Sequence, residues 1–524
     1  MLDLRLISCY HLKDIFLWIK QSGKIMTGDR KKIDRIILAV IFVAYVVFNG
    51  LLLMRHEQWR DEANVWLMAG ELSPMQLFGE IRYQGHPCLW YLLVMPFAKL
   101  GLPFQTIGVI SLGIMTVTAW IFVWKTPFSV LVKAVCLFSP VFTYFYADIA
   151  RNYCLIALIL MLLGLLYPKR NERCVLYGLL LGLLVQADTI AIVSAGMISL
   201  MWLWENLYSG FCARSFTPVK NVMKGVWIPL ASLFLWIAQF YRVSDSPVYQ
   251  VRDFRIGEFL GEVKNFSYHI LIRMTGRGQS FCLVFLALFF LMAVLVSMCL
   301  KDAGAFLVMA GAFLFQAVFS AVVYQLHIWH FISLCFVFLW TAWVWYQQRE
   351  EKYPGDKAVK VLLGGFQILL LVLSASMFLN WNSNKEPSSL DNALNGVYSD
   401  GVHAADYIKE NIPKDAVIVS ANVPFASTVL AYLDGYDFYY AGSRERTSYA
   451  DWSEKQNRSS TFKELTAWAE QKFPEKQFIY LLNTEDSCLS DEEGELGKCE
   501  ILYQTPGETV RGEEYTIYKI PLQR

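Results

Sequence analysis

The sequence predicts a polytopic α-helical membrane protein with about eleven spanning helices and a C-terminal α/β domain outside the membrane. Three observations predict it. The 524 residues are 56% hydrophobic and only 17% charged, more apolar surface than a soluble chain of this length can bury, so lipid must be part of the solvent. Apolar runs long enough to cross a hydrocarbon core of about 30 Å recur up to residue 381. After Asn380 the composition turns polar, and helical periodicity alternates with short strand-like runs.

The apolar runs lie near 36–54, 104–124, 130–147, 152–168, 174–189, 190–207, 225–241, 279–300, 303–325, 329–346 and 360–381. The fifth and sixth form one stretch, divided at Gln186-Ala187-Asp188-Thr189 because a polar tip fits a tight turn better than it fits lipid. Eleven crossings place GDRKKIDR, 125–133, YPKRNER, CARSFTPVKNVMK, Lys301 and QQREEKYPGDK all on the cytoplasmic side, as the positive-inside rule requires. Counting 86–100 as a span would move YPKRNER and each later basic loop to the wrong face. That run is also short, so HPCLWYLLVMPFAKLG reads as a helix in the outer interface. Residues 1–35 are then a cytoplasmic segment, 36–381 the transmembrane domain with an outer loop at 55–102, and 382–524 the extracytoplasmic domain. Met26-Thr-Gly-Asp-Arg-Lys-Lys has the look of a second, natural cytoplasmic start, and without a signal-peptide cleavage pattern the first apolar run is expected to stay as an anchor.

Composition narrows the partners. With 46 Lys and Arg against 45 Asp and Glu, the formal charge of +1 creates no global field for nucleic acid. The eleven Cys include no CxxC pair and no zinc-like spacing. Cys488 and Cys499 bracket an acidic loop, DSCLSDEEGELGKC, and are candidates for a disulfide in an extracytoplasmic domain.

The same parity puts the polar outer segments on one side: 55–102, 148–153, Asp188, 242–278, 325–330 and everything after 380. In RHEQWRDEANVW, Asp61 and Glu62 follow the first span beside Arg60. Neighbouring helical carboxylates point in different directions, so one suits a general base while the other positions a substrate group or a metal; a solvated loop is the plainer reading. IRYQGHPCLWYLL places His86 at a Gly-His-Pro helix start. In ADIARNYCL, an arginine at membrane depth, Arg151, calls for an anion: a lipid phosphate, Asp61, Glu62 or Asp148. VVYQLHIWHFISL puts His327 and His330 three apart, on one face of a helix, either as interfacial anchors or as ligands to a pyrophosphate-like group or a metal. Arg242, Arg252, Arg255, Arg273 and Arg277 lie in an outer loop, where an anionic lipid headgroup would explain them.

Taken in order, RDEANVW, GHPCLWYLLVMPFAKLG and ARNYCL resemble the GT-C superfamily of polyprenyl-phosphate-sugar-dependent glycosyltransferases, across roughly residues 36–330. Within it the motifs are most similar to the protein O-mannosyltransferase and aminoarabinose transferase families (glycosyltransferase family 39-like). Cys88 stands where those families have the second proline of a GHPP segment. The resemblance implies that Asp61 is the base that deprotonates an acceptor during an inverting displacement, that Glu62 helps orient the substrate, and that Arg151 binds the donor phosphate. Arg60, His86, His327 and His330 join the donor-binding set. The implied partners are a polyprenyl-phosphate-sugar donor, membrane lipid and a cell-envelope acceptor that is a glycan, lipid or protein. The resemblance fixes no cofactor, and a divalent metal at Asp61 and Glu62 is an option.

In the last part of the chain, DAVIVS, QFIYLLN and EYTIYKI are strand candidates in an α/β domain of about 140 residues, expected to cap the site or contact the acceptor. It has no GxGxxG loop for a nucleotide. Asn457 begins a nominal glycosylation site, NRS. A transporter or flippase for a lipid-linked sugar is the alternative; it would favour internal repeats, and none is clear. A receptor or assembly factor acting through 382–524 leaves the outward charges unexplained.

Overall fold

The computed structural model describes residues 31–241, 256–300, 304–383, 388–446, 448–456, 458–484, 487–491 and 494–522. The second start at Met26, the loop arginines Arg242, Arg252 and Arg255, Lys301 and Asn457 lie outside these residues.

The chain begins with helix α1 (Lys31–Leu53) and then forms three short helices, α2 (Arg60–Glu71), α3 (Pro74–Glu80) and α4 (Leu89–Lys99). At 1.5 Å per residue α4 is about 16 Å long, half a hydrocarbon core, and it packs on α2. Next come α5 (Thr106–Lys125), α6 (Val130–Leu137), α7 (Tyr153–Leu166), α8 (Cys174–Ala187), α9 (Ile192–Cys212) and α10 (Thr217–Phe240). The helical part closes with α11 (Ile256–Lys264), α12 (Ile270–Thr275), α13 (Gln279–Leu300), α14 (Gly304–Val322), α15 (Ile328–Lys352) and α16 (Lys357–Ser383).

Among the described residues seven helices are long and apolar enough to cross a membrane: α1, α5, α9 with its preceding turn, α10, α14, α15 and α16. Helices α4, α7, α8 and the first part of α13 are shorter and apolar. The protein is therefore an integral membrane protein. Its outer faces expose Val40, Val43 and Val47 on α1, Trp227, Leu230 and Phe234 on α10, and Val361 and Ile368 on α16, a belt that lipid covers. Helix α15 is the most buried of the seven and packs against α7, α14 and α16.

Seven of the eleven expected spans are these long helices, 152–168, 174–189 and 279–300 fall on the shorter α7, α8 and α13, and 130–147 differs in kind. The run 130–147 is not one helix: α6 stops at Leu137, because Pro140 offers no N–H to continue it, and the chain resumes as a π-helical turn, Tyr144–Asp148. The split expected at 186–189 is present. Asp188 is extended there, and its carboxylate accepts from the Ile190 N–H at 2.8 Å, so the polar tip caps the next turn.

Helices α8 and α10 cross at glycines. A Cβ on Gly178 would lie 2.2 Å from the Gly225 carbonyl oxygen, and one on Gly225 would lie 2.2 Å from that of Cys174. Only backbone fits between them. We expect Gly178→Val to destabilise the helical part by about 1–3 kcal/mol or more. Gly113→Val, where a side chain meets open space, is the control. Thermal unfolding in detergent measures the difference, and equal transitions for the two variants would rule out this crossing.

The C-terminal part contains α17 (Leu390–Asn395), α18 (Gly401–Asn411), β1 (Val417–Ser420), α19 (Val423–Leu430), β2 (Asp437–Tyr440), β3 (Ser460–Thr461), α20 (Phe462–Lys472), β4 (Phe478–Asn483), β5 (Leu489–Ser490), β6 (Glu500–Gln504) and β7 (Thr516–Pro521). The main sheet has the order β2-β1-β4-β7-β6. Strand β1 runs parallel to β2 and β4, while β7 is antiparallel to β4 and β6. The three expected strands are β1, β4 and β7. Alternation along β4 sorts its side chains: Tyr480 and Leu482 pack with α18 and α19, Ile479 and Leu481 with α20. Cys488 and Cys499 are free thiols, so the expected disulfide is absent. The Cys488 N–H is tied to Ala421 beyond β1 at 2.8 Å, while Cys499 follows the turn Leu496–Lys498 and its Sγ is 3.6 Å from the Glu495 oxygen.

This domain seats on α2 and the segment before it. Glu57 accepts from the Tyr398 N–H at 2.7 Å, Glu513 accepts from the Arg60 N–H at 3.0 Å, and Asn64 accepts from the Ala450 N–H at 2.7 Å. Helix α19 packs along α2.

Candidate active site

The chemistry begins at the start of α2. Trp59 is extended before the helix, and Glu62, three residues on, reaches back to accept its N–H at 3.1 Å. Residue Asp61 is one helical step away, about 100° around the axis, and so faces elsewhere. It lines a cavity of about 530 Å³ together with Trp59, Arg60, His86, Tyr91, Arg151, Tyr324 and His327; the C-terminal domain closes it with Pro424, Ser427, Trp452 and Arg511. Glu62 is fully buried and not among the lining residues. It accepts from the Ala150 N–H at 2.6 Å and pairs with His56 Nε2 at 2.9 Å.

Arg151 pairs with Asp61 through one arm. Through the other it reaches His86 Nε2 at 2.9 Å. A guanidinium only donates, so His86 Nε2 accepts and its Nδ1–H donates to Asp188, 3.0 Å away. Asn152 donates to the same Asp188 oxygen at 2.6 Å. A continuous chain, Asp61–Arg151–His86–Asp188–Asn152, thus fixes the plane of the guanidinium. Burial pushes the Asp61 carboxyl up, but Arg151, Arg60 and Arg511 more than offset it and hold it below the ordinary carboxylate range.

Arg60 lies at the rim, its guanidinium 4.3 Å from the Phe425 ring centre. His327 and His330 separate. His327 is extended, so α15 begins only after it and the two rings do not share a helical face. His327 faces the cavity. His330 is buried behind: its Nδ1 accepts from the His327 N–H at 2.9 Å, which leaves its Nε2–H to donate to the Tyr153 hydroxyl at 3.1 Å. The expectation that both histidines grip one ligand is corrected on that ground. Burial, aided by Arg273, holds the His327 imidazole below its usual range, so it is neutral at neutral pH.

A second cavity, about 750 Å³, lies alongside and is lined by Glu262, His269, Arg273, Gln325, Asn380 and Ser388 among others. His327, Trp329 and Arg511 line both cavities. Of the outer-loop arginines inside the described residues, Arg273 lines it and Arg277 does not. A third, apolar cavity of about 360 Å³ is walled by Leu271, Phe285, Phe289, Phe313, Phe331 and Phe338.

The metal option at Asp61 and Glu62 does not fit this geometry. Asp61 is engaged by Arg151 and Glu62 by His56 and two backbone N–H groups, so their oxygens do not converge. Among the described residues no group of three His, Cys, Asp or Glu side chains forms a metal site.

No protein-family profile matches the chain, and no curated protein matches it. Among solved structures it is similar to the crystal structure of ArnT from Cupriavidus metallidurans bound to undecaprenyl phosphate, with 13% sequence identity and a TM-score of 0.49, over 92% of this chain and 97% of that chain.

Two charged groups of the site, Asp188 behind His86 and Arg511 in the cavity wall, were not candidates from the sequence. Asp188 had a signal, a carboxylate inside an apolar stretch that ought to be lipid-excluded. Arg511 had none, since TVRGEE in a polar domain looks like any solvated turn.

Proposed function

We propose that the protein transfers a sugar from a polyprenyl-phosphate-linked donor to a cell-envelope acceptor at the outer face of the membrane, as a glycosyltransferase of the GT-C kind similar to the protein O-mannosyltransferase and aminoarabinose transferase families. The observation that carries the reading is one carboxylate, Asp61, held by Arg151 in a cavity that also presents Arg60 and Arg511. That is a base beside a set of cations, which is what a displacement with a phosphate leaving group needs.

The acceptor hydroxyl or amine attacks the anomeric carbon while Asp61 takes its proton. The bond from that carbon to the phosphate oxygen breaks, and its electron pair leaves with the polyprenyl phosphate, so the anomeric centre inverts. Arg151 couples the two ends. While it holds Asp61, the carboxylate is a weak base; a donor phosphate that draws on the same guanidinium loosens that hold and raises its basicity. As Asp61 becomes protonated, the Arg151 charge is left to the departing phosphate. His86 and Asp188 keep the guanidinium in one plane throughout. Glu62 takes no direct part, and it holds the start of α2 in place.

The test is to incubate purified full-length protein in nanodiscs with a panel of polyprenyl-phosphate sugars and candidate acceptors, and to follow free polyprenyl phosphate by mass spectrometry. Release of polyprenyl phosphate with a glycosylated product is expected. An intact donor in that assay, together with its movement across the bilayer of proteoliposomes, would overturn the reading in favour of a flippase.

A further inference from the structure

We infer that Arg511, supplied by the C-terminal domain, binds the phosphate of the lipid-linked donor where the two polar cavities meet, so that this domain completes the active site. The inference rests on the donor reading above and adds to it a second cation on the leaving group, beyond Arg151.

A count of charges leads to it. Arg151 already faces an anion, Asp61, and Arg60 stacks on Phe425 at the rim. Arg511 has no carboxylate within ion-pair distance among the described residues. Its partners are neutral: its Nε donates to the Tyr398 hydroxyl at 2.6 Å, one Nη donates to the Tyr144 hydroxyl at 3.4 Å, and the guanidinium stands 4.4 Å from the Trp59 ring centre. The other Nη has no hydrogen-bond partner among the described residues. A half-buried cation with an unspent donor pair, surrounded by phenols and an indole, calls for an anion to offset its lost hydration.

Its position says which anion. Arg511 lines both the Asp61 cavity and its neighbour, the latter reaching down to α12 and α16 of the membrane part. A group bound there lies between the base and the membrane, where a lipid phosphate waits. The planar fork suits phosphate oxygens, which take two donors side by side.

The fork is also held ready. The Val510 N–H donates to Val397 at 2.8 Å and the Arg511 N–H to Tyr398 at 3.2 Å. Two residues on, fully buried Glu513 accepts from the Ser399 hydroxyl at 2.6 Å, the Thr428 hydroxyl at 3.0 Å and the Arg60 N–H at 3.0 Å. The loop that carries Arg511 is therefore locked to the start of the same helix that carries Asp61, and little order remains to be gained on binding.

The experiment titrates full-length protein in nanodiscs with undecaprenyl phosphate, with uncharged undecaprenol and with inorganic phosphate, reading tryptophan fluorescence. R511Q should bind undecaprenyl phosphate on the order of tenfold more weakly. Undecaprenol binding should not change, and R511K, which keeps the charge and loses the fork, should fall in between. A loss confined to the lipid assigns the lipid headgroup, and a loss shared with inorganic phosphate assigns the phosphate alone; both support the inference. If R511Q does not fold, R511K decides, by weaker binding of the phosphate lipid or by none. Unchanged phosphate-lipid binding in a folded variant overturns the inference and leaves the donor reading standing. A wild-type protein that ignores undecaprenyl phosphate overturns both.

Discussion

Asp61→Asn is expected to lower sugar transfer by at least about 10³-fold, within the range that a lost general base produces. The fold should survive it. Asparagine has nearly the same shape and its oxygen still accepts from Arg151, so the guanidinium, only 13% exposed, keeps a hydrogen-bond acceptor when the charge is removed. Two further readouts separate a chemical role from a structural one. Undecaprenyl phosphate should bind D61N at least as tightly as wild type, because a negative charge beside the phosphate is gone and Arg151 is released to it. Arg151→Lys should do the opposite: its single ammonium cannot serve Asp61 and His86 together, so the transition-state contact is lost along with donor affinity. Turnover of D61N within a few-fold of wild type, measured as polyprenyl phosphate released per protein, would remove Asp61 from the mechanism.

How much of this was legible beforehand depends on the range of the signal. Hydropathy is local, so the apolar runs, the division before Asp188 and the strands β1, β4 and β7 could be read directly. Pro140 was equally visible, yet the run around it is apolar throughout, and apolarity alone does not reveal that a helix is interrupted. The adjacent carboxylates at 61 and 62 told that their roles diverge, and helix geometry makes that unavoidable. Which one faces the cavity depends on His56, in the segment just before α2, and on the Ala150 N–H, brought in by the turn after α6. Likewise the two histidines looked like one face until His327 proved to precede the helix. Arg511 is the extreme case. Its neighbours Trp59, Tyr144 and Tyr398 come from three distant segments, and only packing of the C-terminal domain on α2 brings them together.

Glu62 gives the second large effect, on stability instead of rate. Glu62→Ala should cost about 3–5 kcal/mol, the range for breaking a buried ion pair, because His56 and the N–H groups of Trp59 and Ala150 all lose their acceptor. Glu62→Gln keeps an acceptor oxygen and removes the charge, so it should fall between alanine and wild type. The pH dependence identifies the cause. Burial pulls the His56 imidazole down and Arg511 does so slightly, but Glu62 and Asp148, the latter 3.9 Å away, outweigh both and lift it from 6.5 to about 9. A folded-state value above the unfolded one means that the folded protein binds the extra proton. The contribution of the pair is then complete below about pH 6.5, shrinks as pH rises, and is gone above about pH 9, a change on the order of 3 kcal/mol. The apparent melting temperature of the detergent-solubilised protein should therefore fall between pH 6.5 and 9.5, and His56→Gln should flatten that slope while lowering the whole curve. A His56→Gln profile parallel to wild type would place the titration elsewhere. The same slope bears on catalysis, because the pair fixes the first turn of α2: above pH 9 the carboxylate at position 61 keeps its charge and loses the scaffold that aims it.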